Sequence, residues 1–579
     1  MSHHGNILRS TTAHVALSKM GANRMFALAA GAVLLRSCLL CTPLLSQSPT
    51  PVTVPTWRYD MTHAGQNTNE TALTPANVNV KSFGKLFSVK VDSTVYAQPL
   101  YVPGLTMSDG HVHNVFFVAT ENDSIYAFDA DSNTGSNASP IWKITLLDAA
   151  HGAGAGATPV PPDDPSGGLQ QSDIRPTIGI TGTPVINPAT NTMYVVGNTK
   201  ESGAYFSRLH AINILTGAEQ TSPVVQTSPV AISATVPGTG VGSSGGQLSF
   251  NPLVENQRSA LGYYNGSVYI GYSAHGDNGP WHGWLFAYNA TTMKQSAVIC
   301  LSPTDRGASI WGAGAGMPID TDAPGGRMFV VTGNGAASEH YPPFRQNKDL
   351  GESMINFSLA NGGLTPTDAF TSFNAETLNE HDFDQGSGGI LMVPDQPGPN
   401  PHILVQAGKE GRILVVNRDH LGGYALGAKS NTNILQDIPD EIGGLWSTPA
   451  YWNGNVYIWG ADDVPKMFEM ISGVLSTTPS SKSTIKSGFP GASFSVSSNG
   501  TQDGIAWAVR TDQFSTHGPA VLYAWDANNL ATPLYASNKD AKRDSAGTAT
   551  KFAIPMVTNG KVYVPANEQI DVYGLLSEE

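Results

Sequence analysis

Apolar positions along this chain fall into short runs separated by polar turns, with no sustained helical stripe. A first kind of run, often preceded by Gly or Thr-Pro, includes "VYAQPLYV", "ITGTPVIN", "QRSALGYY" and "KFAIPMVTNG". A second follows across a turn, as in "NVFFVAT", "TMYVVGN", "RMFVVTGN" and "KVYVPAN". A third closes the unit, as in "SIYAFDA", "WLFAYNA", "RILVVNR" and "VLYAWDA". Runs rich in β-branched and aromatic residues and bounded by Gly and Asn read as strands and turns. Each kind recurs about eight times at the spacing of propeller blades, which predicts an all-β, eight-bladed β-propeller. We expect residues 55–579 to form this single domain.

The last unit ends after its third run, while "GKLFSVKV" stands spare ahead of the first unit. The ring is therefore expected to close by pairing N- and C-terminal strands, which also protects sheet edges.

In an antiparallel blade the chain reverses at every turn. The connection between strands two and three and the connection into the next blade then emerge on one face. That rule gathers Glu201 in "GNTKESGAYF", Trp311 in "SIWG", Asn334 in "VVTGN", Asp382 and Asp384 in "EHDFD", and Lys409 in "AGKEGR" at one mouth of the channel. His275, Asp277 and His282 in "SAHGDNGPWHGW" fall there too, and the Gly/Pro-rich stretch from His151 to Pro176 could cover the mouth. Taken singly, each residue also fits an ordinary role: a solvated loop for Glu201, inner packing for Trp311, a turn for Asn334, a hairpin charge for Lys409. If residues 382–384 are extended, alternation puts Asp382 and Asp384 on one side and Phe383 on the other, facing one ion with two carboxylates.

Charge is otherwise sparse. Only 13% of residues are charged, the net charge is −14, and no Lys/Arg cluster follows the leader. This argues against nucleic acid and anionic membrane as partners. Near the start, Lys19 and Arg24 precede "MFALAAGAVLL", an apolar run of signal-peptide length and too short to span a bilayer. Residues 1–48 are expected to be a signal peptide and leader, with the protein exported to the periplasm or secreted. Cys38 and Cys41 lie in that leader, so Cys300 alone remains and no disulfide framework is expected.

Repeats and mouth residues together resemble the quinoprotein alcohol dehydrogenases, propeller enzymes carrying pyrroloquinoline quinone with a calcium or lanthanide ion. The opening "WRYDMTHAGQNTNETALTPANV" is similar to that of exported bacterial propellers described as quinone-binding-like. The resemblance implies that Glu201, Asn334 and Asp382 surround the metal, with Asp382 also the catalytic base, and that Asp384 is the second aspartate of lanthanide users. It further implies that the quinone rests on Trp311, with Lys409 at its carbonyl edge and Thr181 among its contacts. The family's ring of adjacent cysteines is absent. Two readings stay open: a dehydrogenase of an alcohol or sugar using an external electron acceptor, or a non-catalytic propeller binding a carbohydrate or protein.

Overall fold

The computed structural model describes residues 51–164, 168–170, 172–338 and 348–577. The expected leader of residues 1–48 lies outside them. Eight blades follow one another in chain order. Blade one is typical, with strands Leu100–Thr106, Val112–Ala119, Ser124–Asp129 and Trp142–Thr145 paired in sequence.

Strands buried on both faces explain the continuous apolar runs. In blade seven the strand Val521–Asp526 sends Leu522 and Ala524 into the core shared with blade eight. Val521, Tyr523 and Trp525 point the other way, into the core shared with blade six. The period of two distributes one strand between two interfaces. The same division recurs at every seam, so the hydrophobic core is a circle of separate clusters between consecutive blades.

Closure uses the spare N-terminal strand. Phe83–Thr94 pairs antiparallel with the C-terminal segment Lys561–Leu575, from Phe83 opposite Leu575 to Thr94 opposite Asn567. That segment is itself folded back at Glu568, whose φ is 57°, so that Gly574 lies beside the carbonyl of Gly560. The last seam is as apolar as the others: Val89 and Val91 join Ile570 and Val572 against Tyr101, Phe116 and Phe128 of blade one. In hydrogen exchange followed by mass spectrometry, those amides of Phe83–Thr94 that face Lys561–Leu575 should therefore be as protected as those of Val521–Asp526. Fast exchange confined to the N-terminal strand would show that the ring opens at this seam.

A strap made from the sequence's opening motif crosses the middle of the ring. Val54 exchanges two backbone hydrogen bonds with Tyr101 of blade one, and the carbonyl of Pro55 accepts from Ile186 of blade two. Farther along, Met61 accepts from Ile319 of blade four and Ala64 from Tyr451 of blade six. Gln66 and Asn67 then add a parallel strand to blade seven, and the Asn67 amide donates to Val557 of blade eight at 3.1 Å. The strap holds the inner strands of six blades in one register. Trp57 packs with Ala260, Ala315 and Ile554 at its centre, and the His63 imidazole is fully buried, which pushes its pKa down to about 3.

Candidate functional site

One cavity of about 500 Å³ opens on the face where the strand two-to-three connections emerge. Trp311 precedes the inner strand of blade four, Asp382 and Asp384 precede that of blade five, and Lys409 sits in the following hairpin of the same blade. All four line the cavity.

Their geometry centres on Lys409. Its Nζ lies 2.7 Å from Asp382 Oδ1 and 2.8 Å from Asp384 Oδ2, and 5.7 Å from the centre of the Trp311 ring. Asn334 ties the two acids from the other side: its backbone N–H donates to Asp384 Oδ1 at 2.6 Å and its side-chain amide to Asp382 Oδ1 at 2.8 Å. Gly333 is needed for this approach, because a Cβ there would stand 2.5 Å from Asp384 Oδ1. Burial and Asp382 push the Asp384 carboxyl up while Lys409 opposes them. Burial alone would lower the Lys409 ammonium, but Asp384 and Asp382 outweigh it and hold it above the ordinary lysine range. Behind them Glu352 is fully buried, and burial together with Asp384 keeps its pKa well above that of a free carboxyl.

The backbone at the acidic pair is not extended. Asp382 follows the short helix Ala375–Glu380 and has φ 57°, in the left-handed region. Asp382 stands 65% exposed at the rim and Asp384 only 8% exposed in the wall. The two carboxylates still converge, because a turn and a shared ammonium bring them together rather than strand alternation.

Glu201 and Thr181 are not brought to the cavity. Both Glu201 oxygens are held by Arg208, at 2.5 and 3.1 Å, with Thr199 and the Gly154 N–H completing its bonds. Thr181 is buried and donates to Glu121 at 3.0 Å. Asp277, one blade further along, reaches the cavity instead of Glu201. It lies in the connection between Ser267–Ala274 and Trp284–Asn289 and lines the cavity. Its pKa is pushed up to about 6, by enclosure in the mouth first and then by Asp384 and Asp382. The neighbouring histidines serve the framework: His275 is 2% exposed, and His282 is bonded to Ser302 and Val241.

A raised carboxyl pKa means that the folded chain binds the proton more tightly than the unfolded one. Asp277 therefore favours the folded state below an ordinary aspartate pKa, about 3.9, and loses that advantage as pH rises to about 6. Asp277→Asn should gain thermal stability relative to wild type between pH 4 and pH 7, as scanning calorimetry would show; a constant difference would mean that Asp277 ionises freely.

Sequence reasoning missed much of the remaining cavity wall. Arg258 and Lys551 supply two more cations, and Trp446, Phe489 and Phe552 supply aromatic surface. Arg258 donates to the Ala313 carbonyl at 3.1 Å and lies over the rings of Tyr96 and Phe552. Asp173 and Ile174, from the stretch expected to cover the mouth, also reach the wall. The cavity is thus lined by carboxylates, three cations and aromatic rings, with Trp446 close to Lys409 and Asp173 3.9 Å from Lys551.

No family model matches the chain, and no curated protein matches it. Among solved structures it is similar to the quinohemoprotein alcohol dehydrogenase ADHIIG of Pseudomonas putida HK5, with 14% identity, TM-score 0.55, and coverage of 91% of this chain and 81% of that one. The quinohemoprotein alcohol dehydrogenase of Comamonas testosteroni gives 14% identity, TM-score 0.53 and the same coverages, 91% and 81%. A europium-containing methanol dehydrogenase gives 10% identity and TM-score 0.54 over 91% of this chain and 98% of that one. At these identities the likeness is one of fold, and the fold of this chain is the eight-bladed β-propeller seen in quinoprotein alcohol dehydrogenases.

Proposed function

We propose that the chain is a dehydrogenase of an alcohol or sugar that uses pyrroloquinoline quinone with a Ca²⁺ or lanthanide ion. The observation that carries this reading is the convergence of Asp277, Asp382, Asp384 and Lys409 beside Trp311 in one cavity, with Asn334 bonded to Asp382 and Asp384.

Both groups fit the residues present. Three carboxylates, Asp277, Asp382 and Asp384, face a single ammonium, so the cluster carries surplus negative charge. Asn334 Oδ1 is buried without a partner, which adds a neutral oxygen donor. Carboxylate and amide oxygens are the donors that hard cations prefer. A planar tricycle with three carboxylates would meet the Trp311 ring as a stacking surface and Arg258 and Lys551 as counter-charges. When bound, the quinone supplies the two-electron acceptor and the ion supplies a Lewis acid.

This chain's own residues would do the rest. Asp382, exposed at the rim, is placed to accept the substrate's hydroxyl proton, and Asn334 and Lys409 fix its carboxylate for that task. Lys409 would supply a positive charge to a quinone held over Trp311. Trp311 and the aromatic walls exclude water from one side of the site. The reading includes export, supported by the signal-peptide-like run expected within residues 1–48, and an external electron acceptor, which a two-electron oxidation requires.

The test adds the quinone with Ca²⁺ or La³⁺ to purified protein, then follows quinone absorbance, retention on gel filtration and dye reduction with alcohols and sugars. Retention and turnover in wild type, with both lost in Trp311→Ala, are expected. Absence of quinone retention with either ion would overturn the reading and leave a carbohydrate- or protein-binding propeller.

A further inference from the structure

The face opposite the cavity carries a second cluster. It lies in "MSDGHVHN", the turn that joins the first two strands of blade one, Leu100–Thr106 and Val112–Ala119. Connections between strands one and two leave a blade at the end opposite those between two and three, so this cluster is remote from Lys409.

The turn fixes three ligand-bearing side chains. Met107 N–H donates to the His111 carbonyl at 2.9 Å and Gly110 N–H to the Met107 carbonyl at 3.0 Å, with Gly110 at φ 82° where a side chain would be strained. Asp109 Oδ1 accepts from the His111 N–H at 2.9 Å, leaving Oδ2 free to face the imidazoles. His111 and His113 are two apart along an extended run, so they lie on the same side of it. Asp109 Oδ2 is 2.9 Å from His113 Nε2 and 3.6 Å from His111 Nδ1, and the three ligand atoms all lie within 4.8 Å of one another. A tetrahedral zinc site with bonds of about 2.0–2.1 Å has ligand atoms roughly 3.3 Å apart, so little movement is needed.

A buried carboxylate stands behind the cluster. Asp129, 8% exposed on the adjacent strand, accepts from His113 Nδ1 at 2.7 Å. Its other oxygen is occupied by the N–H groups of Asp131 and Ser132, both at 2.9 Å. Asp129 cannot itself join the ligands, but it fixes the ring of His113 and directs Nε2 at Asp109. This carboxylate–histidine arrangement is the one that orients imidazole for metal binding.

We propose that Asp109, His111 and His113 form a zinc-class transition-metal site on the face opposite the cavity, oriented by Asp129 and independent of the quinone reading. One oxygen and two imidazole nitrogens suit Zn²⁺, with Cu²⁺ also favoured by such donors, and exclude Ca²⁺ as the preferred ion. With three protein ligands, water or another molecule completes the coordination sphere.

The test uses the full chain without a histidine tag, stripped with chelator. Isothermal titration with Zn²⁺ and absorption spectra with Co²⁺ measure the site directly. We expect one zinc per chain in this site and a cobalt d–d band of the intensity of a low-symmetry site. His111→Ala and His113→Ala should each weaken zinc by at least about tenfold, and Asp129→Asn by about 10–100-fold while all three ligands remain. Asp382→Ala with Asp384→Ala should leave the cobalt band intact. Circular dichroism confirms that each variant is folded. Zinc binding unchanged in the His111→Ala/His113→Ala double variant, or a cobalt band lost with the cavity aspartates, would overturn the proposal.

Discussion

Replacing Arg58 with alanine is expected to destabilise the propeller by about 3–5 kcal/mol, a loss read as a lower midpoint in urea and in thermal unfolding. Arg58 is 1% exposed in the strap across the ring. Its guanidinium donates to the carbonyls of Thr448 and Pro449 at 3.1 and 3.0 Å and to that of Phe494 at 3.2 Å, clamping the strap to blades six and seven. Burial pushes its pKa down to about 9, which still leaves it charged at neutral pH. Removal therefore withdraws a charged donor from three buried acceptors and opens a void. Gly65 shows how closely the site is built, since a Cβ there would stand 1.9 Å from Arg58 Nη2. Arg58→Lys should recover only part of the loss, because an ammonium cannot span the same carbonyls as a planar fork. If Arg58→Ala unfolds together with wild type, the strap is a passenger and the ring is held by its seams alone.

That strap was the least legible part of the fold. Blade strands announce themselves because burial on both faces leaves apolar runs, and ring closure followed from one spare strand. "WRYDMTHAGQNTNET" has neither periodicity nor apolar density. Its burial comes from hydrogen bonds to the inner strands of blades far away in sequence, 390 residues in the case of Arg58 with Thr448. No local pattern encodes such partners.

The site was legible to the extent that connection parity decides. Parity put Trp311, Asn334, Asp382, Asp384 and Lys409 on one face, and the structure gathers them around the cavity. Parity fixes the face and not the distance from the axis. Glu201 is on the correct end of its blade but Arg208, seven residues along the same hairpin, captures it. Asp277 was visible only inside a group with two histidines, which the structure turns into framework. Arg258 and Lys551 gave no signal because isolated cations in apolar sequence look like surface charges until a cavity appears beside them.

Lys409 and Asp384 offer the sharpest test of the cation reading, because charge predicts opposite signs for their removal. Asp384→Ala takes one anionic oxygen pair from the cluster, whereas Lys409→Met takes away the one ammonium that bridges Asp382 and Asp384. At an effective dielectric of about 20, a unit charge 4 Å away is worth roughly 4 kcal/mol to another unit charge, before screening and relaxation reduce it. The effect scales with the charge of the ion, so La³⁺ should respond more than Ca²⁺. We expect Asp384→Ala to weaken La³⁺ by at least about a hundredfold and Ca²⁺ by less, and Lys409→Met to strengthen La³⁺ by about tenfold. On the proposed quinone reading, the same Lys409→Met change should reduce dye-linked turnover by about 10²–10³-fold, since it would remove a cation available to the cofactor. Isothermal titration of each ion into wild type and both variants reads the binding signs without depending on turnover. If both substitutions move La³⁺ affinity in one direction, the ion does not sit among these carboxylates, and the aspartates serve only to hold Lys409 over Trp311.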